Sequence, residues 1–212
     1  MRRPSVSRPP QVFYPAFEED EGVPDGAAVT AAVQALVDLV WGRLPEPAGA
    51  VIALDLEDVW LLHEPGGFTC GFDTNSVLLN VGDYAPTPQW EVSAIWRLAY
   101  GFAYAFLWSV VARMAGADPA RGATPAAREG APGATWWRAM AFADGERNPY
   151  ARMTVRMADA LLVAWGFGEE MAADLDPADL REPYAAADPC LGPELGKVYW
   201  RLRQRLGHVG TP

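Results

Sequence analysis

The stretch from Trp90 to Met114 reads WEVSAIWRLAYGFAYAFLWSVVARM. Between Arg97 and Arg113 it holds fifteen residues, Leu98 to Ala112, without a charge. As a helix rising about 1.5 Å per residue these span only roughly 22 Å, short of a bilayer's hydrocarbon thickness. Trp90, Trp96 and Trp108 would suit an interfacial belt, but the length argues against a membrane partner. Apolar residues fall on nearly every side, and such a helix has to be surrounded by protein. It is therefore expected to be the long buried central helix of a soluble domain. Gly101 and Ala105, four apart, would let a neighbouring backbone come close.

On its N-terminal side, Pro86 and Pro88 separate this helix from a segment of a different period. Within residues 50–81, Val51, Ile52, Leu54 and Leu56 lead into Val59-Trp60-Leu61-Leu62. Pro65-Gly66-Gly67 turns the chain, and Phe68 to Phe72 and Val77 to Val81 follow around Asp73-Thr74-Asn75. Short runs of Val, Leu, Phe and Trp between turn residues predict a small antiparallel meander of three or four strands. Further upstream, Val29, Val33, Leu36, Val37 and Val40 share one helical face behind a capping Asp25, and Gly42 and Pro45 end that helix. Residues 1–26 carry five prolines and a basic-to-acidic switch, which predicts an extended arm. Its basic start runs into Glu18 to Glu21 rather than an apolar stretch, so it does not read as a signal peptide.

On the C-terminal side, residues 116–135 are almost wholly Ala, Gly, Pro and small polar groups, a mobile loop by composition. Thr135 can cap a short helix holding Trp136, Trp137, Met140 and Phe142. Asn148-Pro149 opens a stronger one with Tyr150, Met153, Met157, Leu161 and Trp165 on one face, stopped by Gly166. A last helix is predicted around Leu195 to Leu206. The expected class is α+β: an N-terminal helix, the meander, the central helix, then a C-terminal helical bundle. Residues 27–208 would form a single domain behind the arm.

Twenty-seven acidic against seventeen basic side chains leave a net charge of −10, which repels nucleic acid and anionic membrane surfaces. Two cysteines make no disulfide framework, and a reducing cytoplasm is the expected compartment. Nine tryptophans in 212 residues point to a large core or to interfaces. Trp136 and Trp137, at the edge of the loop, are candidate binding residues. So is the basic face Lys197, Arg201 and Arg205, which suits an acidic partner within the molecule or a subunit contact.

Catalytic sets are sparse. His63-Glu64 begins a His-Glu-x-x-His pattern, but Gly67 fills the fifth position and Pro65 forbids the helix. His63 and Cys70 would be diagonal neighbours if a hairpin turned at Pro65-Gly66. Cys70, Cys190, His63 and His208 lack any short zinc-ligand spacing. Strand alternation would put Asp55 and Glu57 on one side next to Asp58, close enough to share a cation. Asp174, Asp176 and Asp179 resemble a calcium loop only superficially: Asp176 reads as a helix N-cap, Pro177 as the first helical residue and Asp179 as an acid favourable to the helix dipole.

The element order, with Ser93-Ala94-Ile95-Trp96-Arg97-Leu98-Ala99-Tyr100-Gly101-Phe102 at the start of the central helix, resembles the zincin metallopeptidase fold. There the active-site helix follows an antiparallel edge strand. Trp96, Arg97 and Tyr100 stand where that family's His, Glu and His would be. The helix after Asn148-Pro149 is similar to the one that supplies a carboxylate ligand in some members, with Asp159 as its one acid. The likeness covers residues 27–166. It carries over no zinc ligand, since Trp96 and Arg97 cannot act as ligand and base, and so it implies a catalytically silent relative.

These readings converge on a non-enzymatic binding or assembly protein, a subunit or regulator with a protein partner or its own copies, and no cofactor or metal. The alternative is a hydrolase using a metal on Asp55, Glu57 and Asp58, or the Cys70/His63 pair.

Overall fold

The computed structural model describes residues 8–14, 26–63, 69–73, 75–81, 87–116, 130 and 149–174. It is a mixed helix-and-strand fold. In chain order its elements are β1 (Gln11–Phe13), α1 (Gly26–Arg43), α2 (Glu46–Ile52), β2 (Asp58–Leu62), β3 (Thr69–Asp73), β4 (Ser76–Asn80), α3 (Pro88–Met114), α4 (Pro149–Ala164) and α5 (Gly168–Asp174).

The helices form where the local pattern demands them. α1 buries Val29, Val33, Val37 and Val40, a single face at helical spacing. α3 starts on Thr87, whose hydroxyl accepts the Trp90 backbone N–H at 3.2 Å, and Pro88 takes the first helical position, where its missing N–H costs nothing. The pair of prolines that breaks the chain is thus also the start signal. α3 buries fourteen of its residues, among them Leu98, Phe102, Leu107 and Val111. It is long and apolar enough to cross a membrane, yet about two-thirds of its most apolar stretch lies buried inside the protein. α4 ends at Gly166, whose φ of 86° is the left-handed conformation that glycine adopts without strain.

Four strands make one sheet in the order β1-β2-β4-β3. β1 and β2 run parallel, β2 and β4 run parallel, and β3 and β4 form an antiparallel hairpin in which Phe72 faces Val77 and Asp73 faces Ser76. The hairpin around Asp73-Thr74-Asn75 is the one part of the antiparallel meander that forms. β2 and β3 are not neighbours, because β4 returns between them. The physical reason lies in composition: β4 buries Val77 and Leu79 and gains by being paired on both sides. β3, with Gly71 at its centre, loses least at an edge. A second correction concerns Val51 and Ile52, read as leading into the strands. They close the short helix α2, whose first turn hangs on the Pro45 carbonyl, which accepts from Ala48 and Gly49 at 2.8 and 3.0 Å.

The arm also gives way at one place: Gln11–Phe13 is the edge strand opposite β3, and Val12 is buried. Gln34 of α1 holds it. The Gln34 side-chain oxygen accepts the Val12 N–H at 2.9 Å, and its nitrogen donates to the Pro10 carbonyl at 3.2 Å. One carboxamide thus stands in for the peptide group of a further strand and covers the exposed edge. Tyr14 then lies on Gly26, where a Cβ would come within 2.8 Å of its ring.

The core sits between the helices and one face of the sheet. Val12, Val59, Leu61, Val77 and Leu79 from the strands meet Val33 and Val37 of α1 and Leu98, Ala99 and Phe102 of α3. Trp41 of α1 packs edge-on against Phe102, and Phe106 edge-on against Trp165 at the end of α4. Leu162, Phe167 and Met171 close the far side. Within the expected loop, residues 117–129 and 131–135 lie outside the described residues, as do Asp25, Trp136, Trp137 and the predicted helix around 195–206.

Candidate functional site

The positions carried by the zincin resemblance lie on α3, and α5 closes on them. The Trp96 indole N–H donates to Asp174 Oδ2 at 2.7 Å, and Arg97 Nη2 reaches the same oxygen at 3.2 Å. The guanidinium lies over the Trp96 ring, 4.7 Å from its centre, and Arg97 Nε points to the Ser93 hydroxyl at 3.4 Å. All of these groups are at least partly buried. A charge-assisted pair shared with an indole donor is a specific way to fix a helix end. Asp174, read from sequence only as part of a superficial calcium-loop pattern, is the last residue of α5 and the acceptor that ties α5 to α3.

One turn further along α3, Tyr100 meets Trp96 edge-on and Tyr104 at 5.0 Å between ring centres, with the two phenolic oxygens 3.4 Å apart. Burial raises the Tyr104 pKa above 10.0; the hydrogen bond from Tyr100 opposes this, and the nearby charge of Asp159 adds to it. Asp159 is itself buried on α4. The carboxylate of the second helix therefore stands within electrostatic reach of the same side of α3. Trp96, Arg97 and Tyr100 are brought together with Asp174, Tyr104 and Asp159. The first pair could be found from sequence only by guessing a contact across 77 residues.

The acidic cluster does not assemble. Asp55 sits in the turn before β2, not in a strand, so alternation does not apply to it. Its side chain, 2% exposed, accepts from the Ser109 hydroxyl at 2.5 Å and from both terminal nitrogens of Arg113 at 2.6 and 3.2 Å. Asp58 accepts from the Ser76 hydroxyl, and Glu57 is exposed. Each carboxylate has a different environment, and among the described residues no group of three or more His, Cys, Asp and Glu could hold a metal ion. The His63–Cys70 pair also fails as drawn: Cys70 pairs with Leu79 on β3, and β4 separates that strand from β2, whose end precedes His63. Two strand spacings are roughly 9.5 Å, and the diagonal contact needed one. Cys190, His208, Asp176, Asp179, Lys197, Arg201 and Arg205 lie outside the described residues.

The second candidate surface is the sheet's outer face. Register places Phe13, Trp60 and Leu78 in one row across three strands, with Gly71 ending the row on β3. Phe13 and Trp60 stack at 5.7 Å between ring centres and are 43% and 38% exposed. The next row along the strands is polar: Gln11, Asp58, Ser76 and the position of Asp73. Sequence reading missed this site because the pairing of β1 with β2 is non-local. The only local trace was a tryptophan alternating with buried Val59 and Leu61.

Compared with known proteins, the chain matches no family model, no curated protein and no solved structure.

Proposed function

We propose that this chain is a non-catalytic binding or assembly protein, a subunit or regulator on a zincin-like scaffold, which contacts a protein partner or its own copies through the outer face of its sheet. The observation that carries the reading is the stacked, exposed pair Phe13–Trp60 in an apolar row flanked by polar groups. That is the composition of an interface centre with its rim. One feature supports the silent-scaffold part: α4 brings Asp159 toward the side of α3 that bears Tyr100 and Tyr104. The strand directly before α3 is the inner strand β4, where the resemblance expects an antiparallel edge strand. At the positions where the resemblance expects ligand and base, Trp96 and Arg97 serve a structural contact with Asp174.

The test is light scattering and sedimentation velocity on the full chain from 1 to 200 µM, about the range in which weak assembly becomes measurable, alongside a Trp60→Ser variant and metal analysis. Concentration-dependent association that Trp60→Ser weakens at least tenfold supports the reading. A monomer at every concentration that carries stoichiometric metal would overturn it.

A further inference from the structure

We infer that the partner of the sheet's outer face is a basic amphipathic helix of another protein, which lies across the strands with its apolar stripe on Phe13, Trp60 and Leu78 and its cationic stripe over the row of Asp58 and Asp73. The inference rests on the binding reading and names the chemistry of the partner.

Three observations lead there. First, two of the three strand pairs, β1·β2 and β2·β4, are parallel. Parallel sheets occur almost only with both faces covered. Among the described residues α1 and α3 cover the core face, and the other face leaves Phe13 and Trp60 exposed. Second, the charge on the sheet has one sign. The charged residues of the four strands are Asp58 and Asp73, and both stand in one row, because each pairs with Ser76 from opposite sides. Glu57, exposed, precedes β2 at the same end. Third, the face is small. Four strands at about 4.8 Å spacing and five residues at about 3.3 Å make roughly 300 Å² of flat area, and even doubled for side-chain relief this stays below the ~800 Å² per partner of a stable dimer.

A single helix, about 10 Å across, suits that area. Its positions i, i+4 and i+7 form one stripe about 10.5 Å long, against about 9.6 Å from β1 to β4 along the apolar row. Positions i+1 and i+8 lie about a quarter-turn to the side, again about 10.5 Å apart. Asp58 and Asp73 are two strands apart, about 9.6 Å, in a row about 6.6 Å along the strands from the aromatic one. The acidic pair is staggered by one strand from the apolar row, a distance that the stem of a lysine or arginine covers while its head stays with the carboxylates. A second copy of the sheet face fits neither the area nor the charge, because it would set Asp58 and Glu57 against their own kind.

The probe is a fluorescein-labelled peptide on an Ala/Gln background, with leucines at i, i+4 and i+7 and lysines at i+1 and i+8. It is titrated with the full chain and followed by fluorescence anisotropy, beside a second peptide that has glutamates in place of the lysines. The basic peptide should bind one-to-one with a Kd of about 10–100 µM, about tenfold more tightly than the acidic one. Trp60→Ser should weaken it about tenfold and D58N/D73N about fivefold. E46Q/E169Q, which removes two exposed acids from α2 and α5, should change it by less than about twofold. Each variant is first checked for native circular dichroism. Equal losses in the two charge variants, equal binding of the two peptides, or no binding of either overturns the inference, and self-association that depends on Trp60 would then leave the binding reading standing. Peptide binding and self-association that are both indifferent to Trp60→Ser overturn the binding reading as well.

Discussion

Replacing Asp55 with alanine should be the most destabilising single change among the polar residues, and the structure gives its size. Asp55 joins the turn before β2 to the last turns of α3, accepting from Ser109 and Arg113. Ser109 is fully buried, so its hydroxyl would lose its acceptor without gaining water, at about 1–3 kcal/mol. The Arg113 bonds count for less, because its side chain is 40% exposed and can turn to solvent; about 0.5–1 kcal/mol is a fair allowance. Relief from burying the carboxylate offsets part of this, leaving a net loss of about 2–3 kcal/mol. Ser109→Ala removes the orphan together with its bond and should cost only about 1 kcal/mol. The double variant should therefore be about 1 kcal/mol more stable than the two single losses imply. The assay is urea unfolding followed by tryptophan emission, where a loss of 2–3 kcal/mol moves the midpoint by about 1 M or more. Asp55→Ala within 1 kcal/mol of the native chain, or strict additivity with Ser109→Ala, would refute the assignment of this cluster as a buried clamp.

Other predictions test other joints. Gln34→Leu should release β1 from α1 at a cost of about 1–2 kcal/mol, seen as loss of hydrogen-exchange protection at the Val12 amide while the α3 amides stay protected. Tyr104 has a folded pKa above its unfolded 10.0, so its contribution is complete below pH 10 and is lost as pH rises through the folded value; Tyr104→Phe should flatten the fall in stability above pH 10, measured by urea titration. Gly166→Ala meets no atom within 4 Å but keeps a φ of 86°, so it should cost about 1–2 kcal/mol from backbone strain alone, and a variant as stable as the native chain would mean that the turn is not left-handed.

How much of this was legible beforehand follows the range of the interactions. α1, α3 and α4 are local, with the valine face, the buried-all-round pattern and the Asn148-Pro149 to Gly166 bounds all readable within a few turns. Sheet order is not local. β1 lies 45 residues before β2, and nothing in either strand names its partner. The meander expectation failed because it assumed that consecutive strands pair, whereas β4 outbids β3 for the inner position by having more apolar surface to bury. The site divides in the same way. Trp96, Arg97 and Tyr100 were found because they lie within two turns of one helix. Their acceptor Asp174 and neighbour Asp159 arrive from elements that only tertiary packing brings near. Asp55, Glu57 and Asp58 misled because alternation was applied to a residue that sits in a turn.

A helix apolar on every side creates a mechanical problem, because nothing in its pattern fixes how far it slides or turns among its neighbours. Leu, Ala and Phe contacts tolerate such shifts at low cost, whereas a hydrogen-bonded charge does not. The polar side chains of α3 lie toward its two ends, and each end meets one carboxylate from elsewhere in the fold: Arg97 with Trp96 takes Asp174 of α5, and Arg113 with Ser109 takes Asp55 of the turn before β2. Two pins about 24 Å apart along a helix fix both its position and its rotation. Polar groups spent in this way face inward and serve register. In the binding reading proposed above, contact with the outside is left to the stacked Phe13 and Trp60 rings on the sheet's other face.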